Sequence, residues 1–67
     1  MSERQQKIYD YIKNHITEKQ YAPTIREITV AVGLKSPSTV HGHLDRMQEK
    51  GYIDFIDSFP RTLRIVS

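Results

Sequence analysis

Ser38, Thr39, His41 and Gly42 cluster within the stretch KSPSTVHGHLDRMQEKG, Lys35 to Gly51. They are short or hydrogen-bonding residues, and none is acidic. Hydroxyls and an imidazole can donate to or accept from the edges of bases, and the Thr39 methyl can touch a thymine methyl. His41 has the longest side chain of the set and reaches either a base or a phosphate. Gly42, without a side chain, lets the backbone of a helix come close to a groove. This is the chemistry of recognition, not of bond making. The plain alternative is a solvated polar helix face.

A second set of residues suits phosphates. Lys35, Arg26, Arg61 and Arg64 are the cationic candidates, and Thr24, at a helix start, adds a hydroxyl. Such contacts set affinity and register, not sequence choice. Ser36 opens the same helix, whose first-turn N–H groups and positive dipole end can face a phosphate. The acidic Glu3, Glu18, Glu49 and Asp57 are expected to face away from DNA, which would leave one face more positive than the total charge suggests.

Catalysis and metal binding find little support. His41 and His43, with Asp45 nearby, suggest a metal pair, but residues i and i+2 on a helix point to different faces. With no cysteine and no second cluster, a zinc site lacks its ligands. Ser36 and His41 are out of helical register for a nucleophile and base, and no pocket supports them. No metal, no cofactor and no enzymatic activity are expected.

The elements that must position these residues are marked locally. For the helix after Lys35, Ser36 is a natural N-cap, Pro37 fits the first helical position, and Gly51 suits a left-handed C-terminal cap. Val40, Leu44 and Met47 form its buried stripe. The first helix runs from Ser2 to about Lys19, opened by the capping-box pattern Ser2–Gln5. Its stripe is Ile8, Ile12 and Ile16, flanked by Tyr9 and Tyr11. Pro23 breaks the helical pattern. Thr24 and Glu27 form a second capping box for a short helix reaching about Val32, with Ile25, Ile28 and Val32 on one face. The turn Gly33–Leu34–Lys35 then gives a helix-turn-helix layout, whose second helix enters the major groove.

After Gly51 the apolar period changes to two. Tyr52–Ile56 and Thr62–Val66 read as strands around a turn at Asp57–Arg61. A lone hairpin is barely stable and must pack on the helices. The fold class is therefore α+β, mainly α: a three-helix winged helix-turn-helix with a C-terminal two-stranded hairpin wing, one domain over residues 1–67.

The bulk properties agree. The chain has 67 residues, no cysteine and a net charge of +2, with a pI of about 9.1. That size allows one modest core and argues against a deep enzyme pocket. No apolar run approaches the roughly 20 residues that span a bilayer, and MSERQQ has no signal-peptide character. No membrane association and a cytoplasmic location are expected.

The segments RQQKIYDYI, APTIREI, VGLKSPSTVHGHL and KGYI, in this order and spacing, resemble the N-terminal DNA-binding domain of the LexA family of SOS-response repressors. SPSTVHGHL is the most specific part, and the likeness runs over nearly the whole chain. The resemblance implies a repressor domain that binds a palindromic double-stranded operator as a dimer. By position, Ser36, Ser38, Thr39, His41 and Gly42 would read bases. The wing would touch the DNA backbone, with Arg61 at the family's wing arginine. The pattern departs at Thr29, where a small residue is usual, and at the wing tip DSFPR, which has no glycine. The family's C-terminal half carries a serine–lysine self-cleavage dyad and the dimer interface. It is not in this chain, so no peptidase activity and a monomer that pairs on DNA are expected. A protein–protein module on the same fold, with Phe59 as its exposed aromatic, is the rival reading. A phage or plasmid operator-binding regulator is another.

Overall fold

The computed structural model describes residues 1–66. Three helices precede a short hairpin: α1 (Glu3–Lys19), α2 (Ile25–Ala31), α3 (Pro37–Glu49), β1 (Ile53–Asp54) and β2 (Arg64–Ile65). This is the mainly helical winged arrangement expected from the sequence.

Ser2 caps α1, its hydroxyl accepting the Gln5 N–H at 3.2 Å. The reciprocal half of the expected capping box is not made. The Gln5 side chain is buried instead, with its Nε2 3.3 Å from His43 Nδ1 on α3. The buried line of α1 is Gln5, Ile8, Ile12 and His15, while Ile16 is only half-buried. His15 Nδ1 lies 3.0 Å from the Tyr21 carbonyl. A carbonyl only accepts, so Nδ1 carries the proton. The contact ties the end of α1 to the loop that follows.

α2 has the complete capping box. Glu27 N–H donates to Thr24 Oγ1 at 3.2 Å, and Thr24 N–H donates to Glu27 Oε1 at 2.8 Å. α2 and α3 end alike. Leu34 N–H donates to Thr29 O and Gly33 N–H to Val30 O, and Tyr52 N–H donates to Met47 O and Gly51 N–H to Gln48 O. Each pair is a Schellman closure, which needs a left-handed residue next to the cap. Gly33 and Gly51 supply it, with φ of 75° and 82°. Thr29 is buried, and its hydroxyl donates to Ile25 O at 2.7 Å. Its polar atom is therefore satisfied where the family usually has a small residue.

Ile8, Ile12, Ile28, Val40, Leu44 and Met47 are fully buried and Ile53 is 1% exposed, so all three helices and the hairpin share one core. Fully burying an aliphatic side chain of this size stabilises by about 1.5–3 kcal/mol relative to exposure. That core is what a small chain without disulfides relies on.

The strands are shorter than the alternation predicts. The register is Ile53 opposite Ile65 and Asp54 opposite Arg64, with one further bond from Val66 N–H to Tyr52 O. Beyond Asp54 the ladder gives way to the Thr62 side chain. Its hydroxyl accepts Ile56 N–H at 2.8 Å and lies 3.0 Å from the carbonyls of Ile56 and Phe59. Ile53, Phe55 and Leu63 are buried, which holds the wing against the helices.

Candidate nucleic-acid interface

α3 buries Val40, Leu44 and Met47 and turns Ser38 and Thr39 to solvent, with Gly42 half-exposed. A Cβ built on Gly42 would meet nothing within 4 Å. The fold therefore does not require glycine there, although glycine in a helix interior costs about 1 kcal/mol relative to alanine. Ser36 acts as the cap, its hydroxyl oxygen accepting Ser38 N–H at 3.2 Å. Its hydroxyl proton can still donate outward. The Thr39 N–H donates to Ser36 O, so the first turn keeps fewer unpaired donors for a phosphate than an uncapped helix would.

His41 does not point freely outward. Nδ1 lies 3.2 Å from Asp45 Oδ2, and Nε2 is hydrogen-bonded to Asp57 Oδ1 of the wing loop. The ring stands edge-on to Phe55, with centroids 5.9 Å apart. The hydrogen bond to Asp57 raises the His41 pKa above its ordinary 6.5; burial opposes the rise, and the charges of Asp45 and Asp57 add to it. Asp57, expected to face away from DNA, is bonded to His41 of α3, the helix expected to carry the base contacts. His43 turns the other way, toward α1. Burial first, then Arg46 and Arg4, holds its pKa below 6.5. The two histidines thus cannot share an ion, and among the described residues no three His, Asp or Glu side chains converge as metal ligands would.

The cationic candidates divide. Lys35 and Arg26 are exposed and make no ion pair among the described residues. Arg26 lines a shallow depression with Ile25, Pro37, Ser38 and His41, which places it beside the α3 candidates. Arg61 turns inward. It donates to Ala22 O at 3.0 Å and to Glu27 Oε1 at 3.1 Å, and its guanidinium lies 4.9 Å from the Tyr21 ring centroid. Arg64 donates to Asp54 Oδ2 at 2.9 Å, its cross-strand neighbour. Thr24 is engaged in its capping box.

A family model described as the LexA DNA binding domain matches residues 1–62 of the chain. The chain belongs to this LexA family. It is 55% identical over 67 residues to the LexA repressor of Staphylococcus haemolyticus (strain JCSC1435), covering 100% of this chain and 32% of the relative. The LexA repressor of Oceanobacillus iheyensis is 53% identical over 66 residues, 98% of this chain and 32% of the relative. That of Staphylococcus aureus (strain USA300) is 54% identical over 67 residues, again 100% and 32%. The chain thus spans about a third of the length of these curated relatives. Among the described residues no helix is long and apolar enough to cross a membrane.

Within this LexA-type domain, sequence reasoning did not foresee Glu27 as a partner of Arg61, or Asp45 and Asp57 as partners of His41. Glu27 Oε1 serves two elements, holding the Thr24 N–H of α2 and the Arg61 guanidinium of the wing. Only the capping half of that role had a local signal. The Asp45 contact is one helical turn from His41 and was legible as an i, i+4 pair. The Asp57 contact spans 16 residues and had no local signal.

Proposed function

We propose that this chain is the sequence-specific DNA-binding part of a LexA-type transcriptional repressor, reading a palindromic duplex operator in the major groove. What carries the reading is α3: an apolar side locked into the core, and an opposite N-terminal side that offers Ser38, Thr39 and the bare backbone of Gly42. Ser36 and His41 complete the base-reading group, Ser36 through its remaining hydroxyl proton. Lys35 and Arg26 are the phosphate contacts, with Thr24 beside them. Arg61 and Arg64, engaged with Glu27 and Asp54, brace the wing against its neighbours. The protein works in the cytoplasm, and two copies meet the two half-sites of the operator. Phe59, 63% exposed on the wing, is the feature that a protein–protein module would use. An exposed aromatic on the wing supports that rival less than family membership supports DNA.

Selection from a pool of random duplexes, at two salt concentrations, tests this. Enrichment of a palindrome with affinity falling steeply as salt rises is the expected result. Absence of both would overturn it.

A further inference from the structure

Carboxylates only accept hydrogen bonds. With Asp57 hydrogen-bonded at Nε2, that nitrogen carries a proton, and the Asp45 carboxylate 3.2 Å from Nδ1 favours the protonated, charged ring. Phe55 of the hairpin stands edge-on to the ring and sets its plane. The charged groups around it come from three elements: Asp45 on α3, Asp57 on the wing, and Arg26 of α2 in the same depression. The side chains of His41 and Asp57 are 34% and 69% exposed, so the contact is open to solvent, and His41 lines one depression with Ser38. While Asp57 holds Nε2–H, that donor is not available to a base.

We propose that Asp57 is an internal competitor for the reading histidine, occupying the Nε2 proton in the DNA-free chain and surrendering it to a hydrogen-bond acceptor on a base edge. The inference rests on α3 being the DNA-contacting helix. Asp57, on the exposed wing loop, moves aside while Asp45 stays in place, so the ring remains charged and oriented with Nε2–H free to donate. Guanine, with N7 and O6 side by side, is the base edge that offers two acceptors. The apparent affinity for the operator is then reduced by the fraction of molecules in which Asp57 still holds the ring. Exposed ion pairs are weak, so the exchange is easily reversed.

Asp57→Asn, His41→Ala and the double variant of the 67-residue chain test this. Two probes are used: the duplex enriched by the unaltered chain, and random duplex of equal length. Asp57→Asn should tighten binding to the enriched duplex about threefold more than to random duplex, the size expected of one exposed ion pair. In the His41→Ala background the same change should alter both duplexes equally. Weaker binding of the enriched duplex by Asp57→Asn, or the same selective gain without His41, would overturn the competition. A DNA-free readout separates this from failure of the DNA-binding reading itself. The His41 imidazole, followed by NMR, should titrate at lower pH in Asp57→Asn, and an unchanged midpoint would show that Asp57 does not hold the ring. Failure of the DNA-binding reading would appear instead as no enrichment by the unaltered chain.

Discussion

Arg61 and Glu27, 34 residues apart in the chain, face each other as a two-pronged pair, Nη1 to Oε1 at 3.1 Å and Nη2 to Oε2 at 3.5 Å. The pair joins the wing to the first turn of α2. Arg61 also takes a left-handed backbone at φ 59°, a conformation uncommon outside glycine. Its bonds to Glu27 and Ala22 O offset that local strain, which accounts for a wing tip that turns without glycine.

Arg61→Ala is therefore expected to lower the melting temperature and weaken DNA binding while leaving the salt dependence unchanged. A phosphate-contacting arginine would instead reduce the slope of log affinity against log salt by about one unit on removal. Binding titrations across salt concentrations separate the two roles.

Lys35→Ala should show the opposite pattern. Lys35 is exposed beside the α3 N-cap and makes no ion pair among the described residues. Its loss should weaken operator and random duplex alike and flatten the salt slope by about one unit, with little change in melting. An unaltered slope would remove it from the phosphate contacts.

Gly42→Ala separates folding from binding. The position is helical and open, so alanine should stabilise the domain by about 1 kcal/mol. The added methyl stands on the face proposed to approach the groove, so operator affinity should fall. Higher melting temperature together with weaker operator binding is the expected pair of results. Unchanged operator affinity would take Gly42 off the reading face.

Gly51→Val should do the reverse of Gly42→Ala for stability. At φ 82° with open space around it, the cost comes from the backbone and not from a clash. A left-handed L-residue costs roughly 1–2 kcal/mol, and a β-branched one more. Chemical denaturation measures it, and an unchanged midpoint would refute the cap.

Stability should decline at both ends of the pH range. The Thr24 N–H first, and Arg61 after it, hold the Glu27 carboxyl below its ordinary 4.5. Folded Glu27 thus binds a proton less readily than unfolded. Its contribution is present above that ordinary value and is lost as pH falls through the depressed one. His41 is shifted upward by Asp57 and Asp45, so its contribution is complete below 6.5 and is lost as pH rises through the raised value. In melting curves across pH, Glu27→Gln should shrink the acid loss, and His41→Ala should flatten the neutral-to-alkaline one.

The local order of this protein is written in short-range signals. Ser2, Thr24 and Ser36 start the helices through bonds to residues two or three positions on. Gly33 and Gly51 stop α2 and α3 because only a left-handed residue closes those ends at little cost. The apolar stripes then decide which side of each helix is buried, and so which side of α3 is left exposed. Helix bounds, the turn between α2 and α3, and the exposed face of α3 were legible on those grounds. The partners of the long polar side chains were not. Gln5 leaves its own cap for His43, Arg61 reaches Glu27, and Asp57 closes on His41, across 38, 34 and 16 residues. Thr62 likewise shortens the ladder by bonding within the wing loop. Sequence alone thus determined the helices and their exposed faces, because caps and periodicity act within one or two turns. Tertiary structure decided which charges remain available to DNA, because such pairing depends on distances that exist only once the core has brought wing and helices together.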